Sequence, residues 1–185
     1  MSKVFTALAV SVDGYITGSN PRPGHGLGDG GMLFDWYGDP RNAAVYEQLI
    51  DRVGAVVTGR TTYDDSDSFG GGGPHPTAPM VVVSHRPQPA EYAGSRRQLF
   101  AGSIEGAITQ AQALAGDRDV AIQGGVTLTA AIEAGLVDEV ILHQVPVLLG
   151  AGRPFFGRLP EQVRLTLIDA IPGAGVTHLR YRIHK

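Results

Sequence analysis

Three short segments of this 185-residue chain combine residue types that suit an anion: "TGRTTYD" at 58–64, "SHRP" at 84–87 and "QGGVTL" at 123–128. Each follows a run of β-branched and small apolar residues. Glycine lets a ligand come close to the backbone. The free N–H groups of a helix start carry partial positive charge. Arg60 and Arg86 can each hold two phosphate oxygens through a planar fork. Taken singly, the segments have ordinary readings: a Gly-Gly pair is commonly a tight structural turn, and an exposed arginine is commonly just solvated. Three together are more telling. A dinucleotide is long enough to span several strand ends, and open α/β sheets bind ligands beyond the carboxyl ends of their strands.

Absences narrow the chemistry. The chain has no cysteine, which excludes a thiol nucleophile, a disulfide framework and Cys-ligated metal. Lysine occurs only at Lys3 and Lys185, so there is no Walker A loop and no interior Schiff-base lysine. The G-x-S-x-G elbow is missing, since "AGSIEG" at 101–106 has the wrong spacing. The six histidines (25, 75, 85, 143, 178, 184) show no ligand spacing, and no metal is expected. "DDSD" at 64–67 lacks the closing glutamate of an EF-hand and reads as a solvated helix end. "GLGDGG" at 26–31 matches G-x-G-x-x-G literally. It follows "NPRPGH" instead of a strand, and Met32–Trp36 shows no clear helix, so it reads as part of a flexible lid.

The elements that must position these residues alternate. Strands are expected at 3–10, 53–60, 80–84, 98–100, 120–123 and 137–150, with two more in the tail joined by a Pro-Gly turn. Asp39-Pro40 reads as an N-cap followed by proline at the first helical position, with Val45, Leu49 and Ile50 on one face of the helix. "TTYDDS" opens a short helix, Ser103 with Gly106 starts another, and a third ends at Gly135. The pattern predicts one α/β domain over 1–185, with a mixed, mainly parallel sheet between helices and a C-terminal antiparallel hairpin. Residues 18–38, rich in Gly, Pro and Asp, are too long for an idle connection.

Composition agrees. Hydrophobic residues make up 43% and the net charge is −3, with no basic block, so neither nucleic acid nor an anionic membrane is expected as a partner. No apolar run approaches a membrane span, and "MSKVFTALAVSVDG" reads as a first strand instead of a signal peptide. A cytoplasmic protein acting on a small molecule is the expectation.

The ordered set "AVSVDGYITG", "VVTGRTTYD", "VVVSHRP", "AIQGG" and "GLVDEVILHQVPVLLGAGRPFF" resembles the dihydrofolate-reductase-like family. It is most similar to the reductase domain of the bifunctional riboflavin-biosynthesis deaminase–reductase and its stand-alone relatives. The resemblance spans 3–157 and implies a three-layer fold, NADPH as cofactor, and hydride transfer to a small heterocyclic or carbonyl substrate. It assigns Gly59, Arg60, Thr61 and Thr62 to the cofactor phosphates, and Ser84, His85 and Arg86 to the 2′-phosphate. Gly124, Gly125, Val126, Thr127 and Leu128 match the diphosphate turn. Ala9, Val10, Asp13 and Ile16 border nicotinamide and substrate, and the 18–38 loop matches the mobile loop over the nicotinamide. Relatives suggest a homodimer.

One departure stands out. Dihydrofolate reductases carry an acidic residue on the helix after the mobile loop, and that position falls near Asn42 or Ala43, neither of which ionises. Asp13, Asp35 and Asp39 are the candidate carboxylates, though Asp39 also reads as an N-cap and Asp13 as a turn residue. Trp36 either stacks on a substrate ring or anchors the loop to the core. The alternatives to a reductase of the riboflavin type are a nucleotide- or drug-binding protein without turnover and, less compatible with Asn42, a dihydrofolate reductase.

Overall fold

A computed structural model describes residues 2–185. Eight strands form one sheet: β1 (Val4–Ser11), β2 (Val53–Gly59), β3 (Met80–Val83), β4 (Gln98–Ala101), β5 (Asp119–Gln123), β6 (Glu139–Val145), β7 (Leu165–Gly173) and β8 (Val176–Ile183). Their order is β4-β3-β2-β5-β1-β6-β8-β7. The first six in that order run parallel, β8 returns antiparallel to β6, and β7 pairs antiparallel with β8 at the edge.

The runs "VVTG", "MVVV" and "VAI" show no polar alternation because both faces of the parallel sheet are covered. On one face Val57, Val81 and Ile122 pack against α3 (Ile104–Ala115) and α4 (Gly125–Glu133). On the other, Phe5, Val56 and Ile141 lie beneath Leu49 of α1 (Ala43–Arg52). The result is a three-layer α/β/α arrangement, as expected from the sequence.

Capping signals fall where the sequence places them. Asp39 accepts the Arg41 N–H at 2.9 Å and Pro40 opens a single 3-10 turn that leads into α1. Ser103 accepts the Gly106 N–H at 3.1 Å. Gly135, with φ of 68°, ends the turn after α4.

Most strand boundaries shift by one or two residues, and two depart further from expectation. The strand expected over 137–150 stops at Val145, because Pro146 has no N–H for the ladder. Residues 149–150 instead turn over Asp13, whose carboxylate accepts the N–H groups of Leu149 (3.1 Å) and Gly150 (2.7 Å). The hairpin turns at Ala174–Gly175, not at Pro172–Gly173, which still belong to β7.

At the amino ends of the strands Glu139 is buried among Lys3, Arg52 and Arg180, with Nζ and guanidinium nitrogens 2.6–2.8 Å from its oxygens. Burial alone would raise its pKa. The cations outweigh burial and hold the carboxyl at about 2. This network clamps the amino-terminal end of the parallel strands.

Candidate functional site

Beyond the carboxyl ends of β1 and β5 lies a cavity of about 620 Å³. Leu8 and Ala9 of β1 and Gln123 of β5 contribute to its floor. One wall is α2 (Arg60–Asp65), through Thr61, Thr62 and Asp65; the facing wall is the start of α4, from Gly124 to Thr127. Leu27 and Phe34 of the 18–38 loop, Phe69 and the Arg153–Pro154 segment complete it.

The wall at α4 offers the anion-binding geometry. The first helical bond there is Leu128 N–H to the Gly124 carbonyl, 2.9 Å. The N–H groups of Gly125, Val126 and Thr127 have no partner among the described residues, as the first turn of a helix requires. Val126 is 86% exposed. The hydroxyls of Thr62 and Thr127 border Gly124, adding donors beside the open amides.

The two glycines have a different immediate cause from the one their motif suggests. Gly124 has φ of 91°, and a Cβ there would sit 2.7 Å from Thr62 Oγ1. A Cβ on Gly125 would strike the carbonyl oxygen of Pro154. Side chains are missing because protein backbone and the α2 wall crowd in. The same tight junction leaves the amides clear.

A second polar cluster flanks α2. Asp64 binds two arginines: Arg60 Nε at 2.7 Å and Arg86 at 2.5 Å. Arg60 also donates to the Pro87 carbonyl (3.2 Å), and Ser84 Oγ accepts the Arg86 N–H (3.0 Å). Burial would raise the Asp64 pKa, but the paired guanidinium groups outweigh it and lower it. Two cations share one carboxylate, so the cluster keeps net positive charge. Arg86 is 62% exposed, and His85 is exposed next to it.

Of the residues singled out in the sequence, Ala9, Ile16, Thr61, Thr62, Gly124, Gly125, Val126 and Thr127 line the cavity. Arg60, Ser84 and Arg86 gather around Asp64 instead. Gly59 packs behind the Thr127 hydroxyl. Leu128 and Val10 are buried in the core. The three candidate carboxylates lie outside the cavity lining. Asp13 holds the 149–150 turn, and its pKa is lowered by a hydrogen bond with Ser11 and the Gly150 amide. Asp39 is held by Arg41 at 2.6 Å and pulled to about 2. Asp35 is exposed on the loop.

Trp36 is an anchor. It is buried with Leu33, Ala9 and Val176, its ring centroid 4.9 Å from that of His143 and 5.2 Å from that of His178. Those two histidines are buried with their Nδ1 atoms 2.7 Å apart. Burial, helped by the neighbouring ring, pushes His143 down to about 3. Asn42, where an acid would be expected, is 2% exposed. Its amide donates to the carbonyls of Trp36 (2.9 Å) and Ala174 (3.0 Å) and accepts the Ala174 N–H (2.9 Å). The position ties the loop to the hairpin and offers nothing to a ligand.

The sequence reading missed Asp65 and Arg153. "DDSD" does not form a solvated helix end: Asp65 is 7% exposed and pairs with Arg153 at 2.5 Å across the cavity wall. Both residues stand in quoted motifs, yet nothing local marks them as a pair. Residues 31–34 also form a 3-10 turn where no helix was evident. Among the described residues, no group of three His, Cys, Asp or Glu side chains converges as metal ligands. No helix there is long and apolar enough to cross a membrane.

The family model of the RibD C-terminal domain matches residues 2–177. The chain superposes on a protein of Shewanella sp. PV-4 assigned to riboflavin biosynthesis, with TM-score 0.76, 26% identity and 100% of both chains covered. It matches a pyrimidine reductase-like protein of Corynebacterium diphtheriae with TM-score 0.66 and 17% identity, over 100% of this chain and 92% of the other. For Enterococcus faecalis dihydrofolate reductase complexed with NADP(H), the TM-score is 0.65 and the identity 16%, over 99% and 97% of the two chains. No curated protein sequence matches the chain. The fold is that of a riboflavin-pathway-type reductase.

Proposed function

Because the chain belongs to the RibD C-terminal domain family, we propose that it is a cytoplasmic, NADPH-dependent oxidoreductase acting on a small heterocyclic or carbonyl compound. The observation that carries this reading is the set of open amides at Gly125–Thr127 facing a cavity, with a net-positive Arg60–Arg86 cluster on the flanking helix. A pyrophosphate fits the amides and the hydroxyls of Thr62 and Thr127. The 2′-phosphate fits Arg86, Ser84 and His85, where an exposed guanidinium still has free N–H donors.

When bound, the reduced nicotinamide supplies a hydride to an electrophilic substrate carbon, whose neighbouring nitrogen or oxygen then takes one proton. Leu8, Ala9 and Ile16 offer a flat apolar platform for the ring. Leu27 and Phe34 cover it and exclude water. Asp65 is committed to Arg153, so water supplies the proton.

A titration with NADPH and NADH followed by fluorescence, then a 340 nm screen of pyrimidine, pterin and quinone acceptors, tests the reading. NADPH binding with oxidation by a pyrimidine or carbonyl acceptor is the expected result. NADPH binding without oxidation by any acceptor would make the chain a nucleotide-binding module, and no NADPH binding would overturn the reading altogether.

The same reading includes a homodimer. Every residue of β7 but the last is exposed, among them Leu165, Leu167, Ile168 and Ile171. An edge strand with such side chains favours pairing with another chain. Light scattering is expected to give twice the monomer mass, falling to the monomer in Leu167→Glu.

A further inference from the structure

The charges around the cavity say what its second occupant lacks. A phosphate monoester needs cationic donors or a helix start. The α4 amides and the Arg60–Arg86 cluster serve the cofactor in the reading above, on which this inference rests. Both lysines are at the far end of the sheet, on Glu139 and Asp138. Arg22 and Arg158 are exposed and outside the cavity lining. Arg41 is held by Asp39. The cavity itself holds one cation, Arg153, and its charge is cancelled by Asp65 at 2.5 Å.

Drawing Arg153 away would leave the Asp65 carboxylate, 7% exposed, beside a dianion and without its counter-ion. Both consequences oppose binding. A neutral molecule meets no such conflict. Asp65 has no other partner among the described residues, and it can accept a further hydrogen bond from a ring N–H while Arg153 donates to a ring carbonyl. The remaining surface, with Leu27, Phe34 and Phe69, is apolar and suits a flat ring.

We propose that the substrate of this chain is an uncharged, unphosphorylated heterocycle, and that the Asp65–Arg153 ion pair is the element that rejects a phosphate. Asp65→Asn, which frees the Arg153 guanidinium, is expected to admit anions.

Calorimetric titration of uridine and of uridine 5′-monophosphate into the NADP⁺-saturated protein tests this directly. The preceding NADP⁺ titration reports separately on the cofactor reading: its failure sinks that reading, whereas the comparison of the two pyrimidines judges this one. In the wild-type chain the phosphate is expected to give no gain in affinity. In Asp65→Asn the monophosphate is expected to bind at least tenfold more tightly than in wild type. Tighter binding of the monophosphate than of uridine by the wild-type chain overturns the proposal. So does an Asp65→Asn protein that binds NADP⁺ yet gains nothing for the monophosphate. The wild-type comparison stands alone should the variant fail to fold.

Discussion

The two ends of the 18–38 loop's surroundings handle polar groups in opposite ways. Around and beside the cavity that the loop helps to line, donors are left open: three amides at the start of α4 and, flanking α2, an exposed Arg86 that shares Asp64 with Arg60. Where the loop returns to the sheet, Asn42, Trp36, His143 and His178 are all buried, and Asn42 uses each of its donors and its acceptor on backbone. Open donors cost little while water solvates them, and they strengthen when a ligand excludes that water. Buried polar groups depend on partners inside the protein, and losing one is costly; Asn42 is fully partnered, whereas Trp36 Nε1 and the Nε2 atoms of His143 and His178 have no partner among the described residues. Under the proposed function the first region serves binding, and the second holds the loop. Substitutions should separate the two: stability without affinity at one end, affinity without stability at the other.

Asn42→Ala is the strongest test. It strands the Ala174 carbonyl and N–H and leaves the Trp36 carbonyl with only the longer bond from the Asp39 N–H, 3.3 Å, and each polar group left without a partner costs about 1–3 kcal/mol. A loss of about 3 kcal/mol is expected in urea unfolding, with NADPH affinity of the folded protein within about threefold of wild type. Destabilisation below about 1 kcal/mol would show that the loop is held elsewhere.

The histidine pair gives the next largest effect, and its sign follows from burial. His143 titrates near 3 in the folded chain, against about 6.5 when unfolded. Below about pH 6.5 the unfolded chain takes up a proton that the folded chain refuses, so stability falls as pH drops from 6.5 towards 3. The slope approaches about 1.4 kcal/mol per pH unit. Urea unfolding at pH 7 and pH 5 should show this loss in wild type and a smaller one in His143→Gln. Equal losses in the two proteins would mean that the pair takes up protons without opening.

These contrasts also explain what the sequence could reveal. The parallel core was legible because "VVTG" and "MVVV" carry their burial in consecutive residues. The caps at Asp39, Ser103 and Gly135 were legible because they need only near neighbours. The strand ends that would bind phosphate followed from glycine and arginine just past apolar runs. What stayed hidden depends on distant partners. Asn42 meets Ala174 across 132 residues, and no local pattern tells a loop bolt from a missing acid. Gly125 is small because the Pro154 carbonyl lies against it, which a Gly-Gly motif alone cannot say. Asp65 looked solvated until Arg153 was brought beside it by the fold.

At the open end the effect is smaller and selective. Arg86→Ala removes an exposed guanidinium that bonds only Asp64 among the described residues, and it leaves the two backbone bonds between Arg86 and the Ser84 hydroxyl in place. Exposed ion pairs contribute about 0–1 kcal/mol, so the melting temperature should barely move. A charge-assisted contact to a phosphate is worth about 1.5–3 kcal/mol, hence a loss of about tenfold or more in NADPH affinity, with NADH within about twofold of wild type. The difference between the two dinucleotides isolates the 2′-phosphate, because everything else they present to the protein is the same. Equal losses for both would move Arg86 out of that role and leave Arg60, which binds the other oxygen of Asp64, as the donor to examine. Asp64→Asn separates those two arginines further: with the shared carboxylate neutralised, both guanidinium groups are released towards the anion, and NADPH should bind more tightly by a few-fold while NADH does not.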